Sequence, residues 1–229
     1  MDFTVITDNL LYFLIGPYPY GPLGGAALTI ILSIASSLIS AILGLVFGVV
    51  LAITRGVVHS LLVAFLGFFR AIPVIMLIFW VYFLLPILFD VDIPGTLTVV
   101  CSLSLIGGAY LAHAVYAGIR SLPTGQWQAA AALGMTKYQV LRYVILPQAL
   151  PIMMPSFINQ WVSLIKDSSL AYVIGVSELS FVATQVSNRV MVYPAEIFLF
   201  VAVVYYIYCV GLSFLANSLL KRYQSRTAQ

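Results

Sequence analysis

Charge is what this sequence has least of. Only 7% of its 229 residues are Asp, Glu, Lys or Arg, whereas soluble domains carry about 25%. With 62% hydrophobic residues and a mean hydropathy of +1.09, the chain cannot cover its apolar mass with a water-facing surface. Lipid, in contrast, solvates apolar helices along their whole length. A soluble globular domain is therefore excluded. Cysteine is almost absent. Cys101 and Cys209 lie in apolar runs with no CxxC or Cys/His spacing, and they read as inert packing residues. No phosphate-binding GxxxxGK[ST] loop, HExxH or ordered Ser/His/Asp set occurs, so no catalytic residues are expected and ATP is not hydrolysed by this chain. No His or Cys stands at metal spacing from His113, so no metal site is expected. The net charge of +3 gives no reason to expect a nucleic-acid partner. The opening Met1-Asp2-Phe3 has no basic n-region, which predicts no cleavable signal peptide.

Long apolar runs are what remain. A bilayer-crossing helix needs roughly 20 apolar residues. Runs of that kind fall at about 26–53, 61–85, 97–119, 147–166 and 196–220, the second interrupted by Arg70 and Pro73. The expected fold class is an all-α membrane protein of five transmembrane helices, a single domain over 1–229 with lipid around it. Seven of the ten basic residues (Arg55, Arg120, Lys137, Arg142, Lys221, Arg222 and Arg226) fall on one side of these spans, with no acidic residue among them. Asp2, Asp8, Asp90 and Asp92 fall on the other. The excess of Lys and Arg in cytoplasmic loops then places the N-terminus outside and the C-terminus in the cytoplasm. No internal repeat is evident, which argues against an inverted-repeat secondary transporter. Two connections exceed simple turns: a cytoplasmic one at 121–146, and an outer, half-apolar one from Lys166 to Pro194 that re-enters the membrane or lies along it.

The connection at 121–146 is the most informative stretch. Gly125-Gln-Trp-Gln-Ala-Ala-Ala-Ala-Leu-Gly134 predicts a short, stiff helix that Gly134 stops by taking the left-handed conformation. Thr136 then caps a second helix, with Tyr138, Leu141 and Val144 on one side, ending at Pro147. Small alanine side chains let a helix lie close against another surface, which suits docking in a partner's cleft. The same composition is also that of a plain helical loop.

This segment resembles the EAA loop of ABC importer permeases, in which an acidic residue and two alanines are followed by a glycine and later by Leu-Pro. Ala129-Ala130, Gly134 and Leu146-Pro147 match it; Gln128 stands where the acidic residue is usual. The resemblance runs through nearly the whole chain, to the polar amino-acid uptake family that includes histidine, glutamine and glutamate importers. It rests on Gly24-Gly25-Ala-Ala-Leu-Thr29, Arg70-Ala-Ile-Pro73, Ala109-Tyr110-Leu-Ala112, Gly118-Ile119 with Pro123 and Gly125-Gln126, Leu146-Pro-Gln-Ala149 with Pro155, Lys166-Asp-Ser-Ser-Leu170, and Ile174-Gly-Val-Ser-Glu-Leu179, in that order. It implies a type I importer-like permease fold with a cytoplasmic coupling loop. The implied partners are a dimer of ATP-binding subunits that holds the ATP and magnesium, a second permease subunit (identical or related), an external solute-binding protein and an amino-acid substrate. It implies ATPase coupling through Gln128, Ala129, Ala130, Leu133, Gly134, Met135, Leu146 and Pro147. The family's Glu/Arg pair on the third span is replaced together, by His113 and Tyr116, so no orphan charge is left in the membrane.

Ionisable groups inside a membrane are costly and mark interior paths or interfaces. Lys166, Asp167 and Ser168, with Asn159, edge the expected solute path; the alternative is that Lys166 and Asp167 form an ion pair ending the helix. His113, flanked by Tyr110 and Tyr116, reads either as a satisfied structural residue or as a polar stripe facing the bundle. Arg70 and Pro73 are read as structural, Arg70 bracing the loop and its partner helix. An energy-independent channel is the main competing function, and a membrane enzyme is less supported still.

Overall fold

The structure, a computed structural model, describes residues 4–191 and 193–227, except for the side chains of Leu219 and residues 221–227. Asp2 and the side chains of Lys221, Arg222 and Arg226 thus lie outside the described residues. The helices, in chain order, are α1 (Thr4–Asp8), α2 (Leu10–Ile15), α3 (Gly25–Ile53), α4 (Val57–Ala71), α5 (Val74–Phe79), α6 (Leu85–Phe89), α7 (Gly95–Arg120), α8 (Thr124–Ala132), α9 (Lys137–Gln139), α10 (Leu146–Asp167), α11 (Leu179–Val190) and α12 (Pro194–Thr227). Four continuous helical stretches are long and apolar enough to cross a membrane: Gly25–Ile53, Gly95–Arg120, Lys137–Ile174 and Pro194–Ser218. A fifth span is counted if α4 and the α5–α6 stretch form one broken crossing.

That broken crossing corrects the expectation of one helix over 61–85. The two halves are bent by 99° at Ile72-Pro73, for a reason proline supplies. Pro73 has no N–H to donate and its ring clashes with the carbonyl one turn back, while the residue before it is pushed out of the helical region. The helix restarts at once, because the Pro73 carbonyl accepts from the Met76 N–H at 3.0 Å.

Two other prolines are absorbed instead. Widened π turns at Trp80–Leu84 and Val140–Ile145 each lead into a Leu-Pro pair, Leu85-Pro86 and Leu146-Pro147. A π turn shifts the hydrogen-bond register, so the missing proline donor falls where the register changes. Consequently the second helix of the 121–146 loop does not end at Pro147 as expected; it runs on into α10, which also carries Pro151 and Pro155 within it.

The chain divides into two compact units. The first comprises Met1–Leu38, Ile72–Ser104 and Trp161–Leu212. In it α1 and α2 pack on α11 and α12 through Val5, Phe13, Leu179, Val182, Ala183, Val186, Ile197 and Val201. A second apolar cluster joins Leu32 of α3, Val99 and Leu103 of α7 and Leu164 of α10 to Ala171 and Val176. Those last two belong to the outer connection, which forms a 3₁₀ segment (Ser168–Ile174) followed by α11. Tyr12 adds a polar fastening, donating to Gln185 at 2.6 Å with the Arg189 guanidinium 5.7 Å from its ring centroid.

The second unit comprises Ile39–Ala71, Leu105–Gln160 and Ser213–Gln229. Leu51, Leu66, Ala109 and Ala112 form its buried centre. Here α3 and α7 approach so closely that a Cβ at Gly44 would collide with the Leu111 side chain, and one at Gly48 with Val115 and the Ala112 carbonyl. Between helices in lipid, close backbone packing replaces the hydrophobic drive that water would supply. The Ser33 hydroxyl of α3 returns to the Thr29 carbonyl at 2.7 Å, and that of Thr54, just past the helix end, to Val50 at 2.7 Å.

Candidate functional site

The 121–146 loop is a helix-turn-helix. Its first helix, α8, ends where the Leu133 N–H reaches the carbonyls of Ala129 and Ala130 at 3.3 and 3.2 Å. Gly134 follows with φ of 78°, a conformation that costs other residues about 1–2 kcal/mol. Thr136 then opens α9 with a reciprocal cap: its hydroxyl accepts from the Gln139 N–H at 3.3 Å, and the Gln139 side chain accepts from the Thr136 N–H at 2.8 Å. These bonds satisfy backbone donors that a helix start leaves free.

The outcome is a presented surface. Gln128 and Ala129 are exposed, and Leu133 at the tip is 83% exposed. Ala130 is buried instead, facing back, and its carbonyl accepts from the Met135 N–H at 3.3 Å. Leu146 is half-buried and Pro147 exposed, at the exit from the π turn. The loop residues therefore divide into a presented set (Gln128, Ala129, Leu133, Gly134) and a supporting set (Ala130, Met135, Leu146). Next to them Arg142 donates to the Tyr138 hydroxyl at 3.3 Å and sits 5.8 Å from the Tyr143 ring centroid.

Two of the polar groups of α7, Tyr110 and Tyr116, both face α4. Tyr110 is 42% exposed and turned to α4: its hydroxyl donates to the Arg70 carbonyl at 3.3 Å, and the Arg70 guanidinium lies 5.1 Å from its ring centroid. Arg70 thus braces α4 against α7, and Pro73 bends the chain just beyond it. Tyr116, about two turns further along, packs on α4 as well through Leu66 and His59, in the cluster that also holds Leu51, Ala109 and Ala112, with Arg120 nearby. His113 is half-buried, its Nδ1 3.2 Å from the Ala109 carbonyl of its own helix.

The outer candidates separate too. Lys166 is exposed and Asp167 half-buried. Neither side chain has a hydrogen-bonded or ion-paired partner among the described residues. The helix-ending ion pair does not form, because neighbours in sequence do not face each other on a helix. Ser168 is fully buried and its hydroxyl is used locally, donating to the Ile165 carbonyl at 2.7 Å. Asn159 belongs to the second unit and is exposed.

One polar centre was given no role by the sequence reading, although Thr29 and Glu178 both stand in the motifs that carry the resemblance. Glu178, fully buried, caps α11 by accepting from the Ser180 and Phe181 N–H groups at 2.8 and 3.0 Å. It also accepts from the Tyr205 hydroxyl of α12 at 2.8 Å, and the Thr29 hydroxyl of α3 shares its proton between Glu178 at 3.5 Å and the Gly25 carbonyl at 3.2 Å. The signal available was modest: an acidic residue directly ahead of an apolar helical run.

A family model described as the inner membrane component of binding-protein-dependent transport systems matches residues 44–229. The chain belongs to that family. It is 34% identical over 170 residues to the glutamine transport system permease protein GlnP of Escherichia coli (strain K12), covering 72% of this chain and 76% of that one. To the glutamate/aspartate import permease protein GltK of Escherichia coli O157:H7 it is 31% identical over 167 residues, covering 69% and 74%. A solved structure described as an amino acid ABC transporter with histidines matches with a TM-score of 0.83 at 25% identity, over 97% of this chain and 99% of that one. The MetNI methionine ABC transporter in an inward-facing form shares the fold, with a TM-score of 0.75 at 23% identity over 85% and 92%. The family member described here thus has the all-α, type I importer permease fold. It is a multi-pass transport subunit of the bacterial inner membrane.

Proposed function

We propose that this chain is the permease subunit of an ATP-driven amino-acid importer. An external binding protein delivers the solute. This chain and a second permease, identical or related, form the path, and a pair of separate ATPase subunits holding ATP and magnesium drives alternating access. The chain itself carries no catalytic step. Relatives that act on glutamine and on glutamate or aspartate support an amino acid as solute. The distribution of basic residues supports a cytoplasmic C-terminus and an outer N-terminus.

The observation that carries the reading is the α8 tip. A leucine 83% exposed on a stiff, capped helical turn suits insertion into a partner's cleft. Gln128 in place of the usual carboxylate presents an amide there, so this contact is made without a charge. Closure of the ATPase pair moves α8, and the continuous Lys137–Ile174 stretch carries that motion toward Lys166, Asp167 and Ser168. Adjacent opposite charges suit a zwitterionic solute, and with no hydrogen bond or ion pair to either among the described residues they remain available to it.

The test is uptake into vesicles holding the whole complex. Accumulation of a labelled amino acid above its outside concentration, dependent on ATP, is the expected result. Equilibration without nucleotide marks an energy-independent channel and overturns the proposal.

A further inference from the structure

The Glu178 centre joins three helices of one unit by side chains and backbone together. Besides the four donors on its carboxylate, the Thr29 hydroxyl accepts from the Leu179 N–H at 3.1 Å. The Gly25 N–H, at the start of α3, reaches the Ser177 carbonyl at 2.8 Å. Ser180 adds a contact from its hydroxyl to that of Tyr205 at 3.3 Å. A carboxylate suits this place because it only accepts. A glutamine would turn an N–H₂ toward the Phe181 N–H or toward the Ser180 and Tyr205 donors.

This junction is also the downstream anchor of the segment that begins at Asp167. From Ser168 the chain forms its 3₁₀ turns to Ile174, closes with Gly175 N–H to the Tyr172 carbonyl at 3.0 Å and Val176 N–H to Ala171 at 3.3 Å, and arrives at Ser177-Glu178. Ala171 and Val176 hold its middle in the apolar cluster with Leu32, Val99, Leu103 and Leu164. Because the Lys166 and Asp167 side chains make no hydrogen bond or ion pair among the described residues, their places are inherited from this backbone, pinned by α10 at one end and by Glu178 at the other.

We infer that Glu178 is a positioning residue for transport: by fastening the 168–177 segment to α3 and α12 it sets where Lys166 and Asp167 stand, without itself touching solute. The inference rests on the importer reading above. It separates the solute step from assembly and from ATP hydrolysis.

The experiment uses the complete reconstituted complex and a panel of labelled standard amino acids, with uptake, ATP hydrolysis and thermal unfolding measured on each variant. For Glu178→Gln and Thr29→Val, complexes that assemble and hydrolyse ATP near the wild-type rate are expected to move about tenfold less solute per ATP, the equivalent of losing one hydrogen bond to a charged group. Thr29→Ser, which keeps the hydroxyl, is expected to restore wild-type uptake, with Tyr205→Phe falling between. Unchanged uptake per ATP in Glu178→Gln and Thr29→Val overturns the inference. So does a loss in which uptake, hydrolysis and unfolding temperature fall in parallel, since that marks a merely structural group. A wild-type complex that accumulates no amino acid overturns the importer reading itself, and this inference with it.

Discussion

Two helix caps in this molecule use similar chemistry to opposite ends. At α9, Thr136 and Gln139 satisfy each other's backbone donors in the open, and the bonds stay within four residues. At α11, Glu178 satisfies two backbone donors of its own helix and then takes hydroxyls from α3 and α12 as well. The first cap stiffens a turn while leaving its surface, with Leu133 at the tip, free for another protein. The second turns its carboxylate inward and ties three elements into one block. A cap with local bonds makes a presented surface, and a cap with remote bonds makes a joint.

That contrast can be broken at several points. The largest effect is expected from Glu178→Ala, which strands buried backbone and hydroxyl donors; unfolding in detergent should fall by about 3 kcal/mol. Thr136→Ala removes only a local cap and should cost about 1 kcal/mol by the same assay. Equal losses at the two sites would erase the distinction between joint and surface. Smaller still, Gly125→Ala in α8 should raise stability by about 0.5 kcal/mol, since a Cβ there meets nothing within 4 Å; a loss of stability would show that α8 is packed and not presented. Leu133→Asp should leave unfolding within about 0.5 kcal/mol of wild type while abolishing capture of an ATPase subunit.

Much of this was legible in the residues. Apolar runs longer than a bilayer crossing, Gly134 at a helix stop and Thr136 at a helix start each carry their own physical reason, so the helix-turn-helix could be read directly. Prolines were less readable. Pro73 splits a span with a sharp bend, whereas Pro147 is carried through by a π turn; the choice depends on packing around the chain that no local pattern records. The ion pair weighed for Lys166 and Asp167 failed on helix geometry, which the spacing already contained. What Glu178 does was hidden for a different reason. Its partners Thr29 and Tyr205 lie 149 and 27 residues away in sequence, and only the fold brings a hydroxyl from each to one carboxylate.

The central claim is that this chain works through an ATPase engaged by the α8 tip. The most direct measurement is tagged co-purification from the native host in mild detergent, with mass spectrometry of what accompanies the wild type and Leu133→Asp. The account predicts an ATP-binding subunit with the wild type and its loss from a Leu133→Asp chain that unfolds at the same temperature. Recovery of the folded wild-type chain with no nucleotide-binding partner would contradict it and point to a channel.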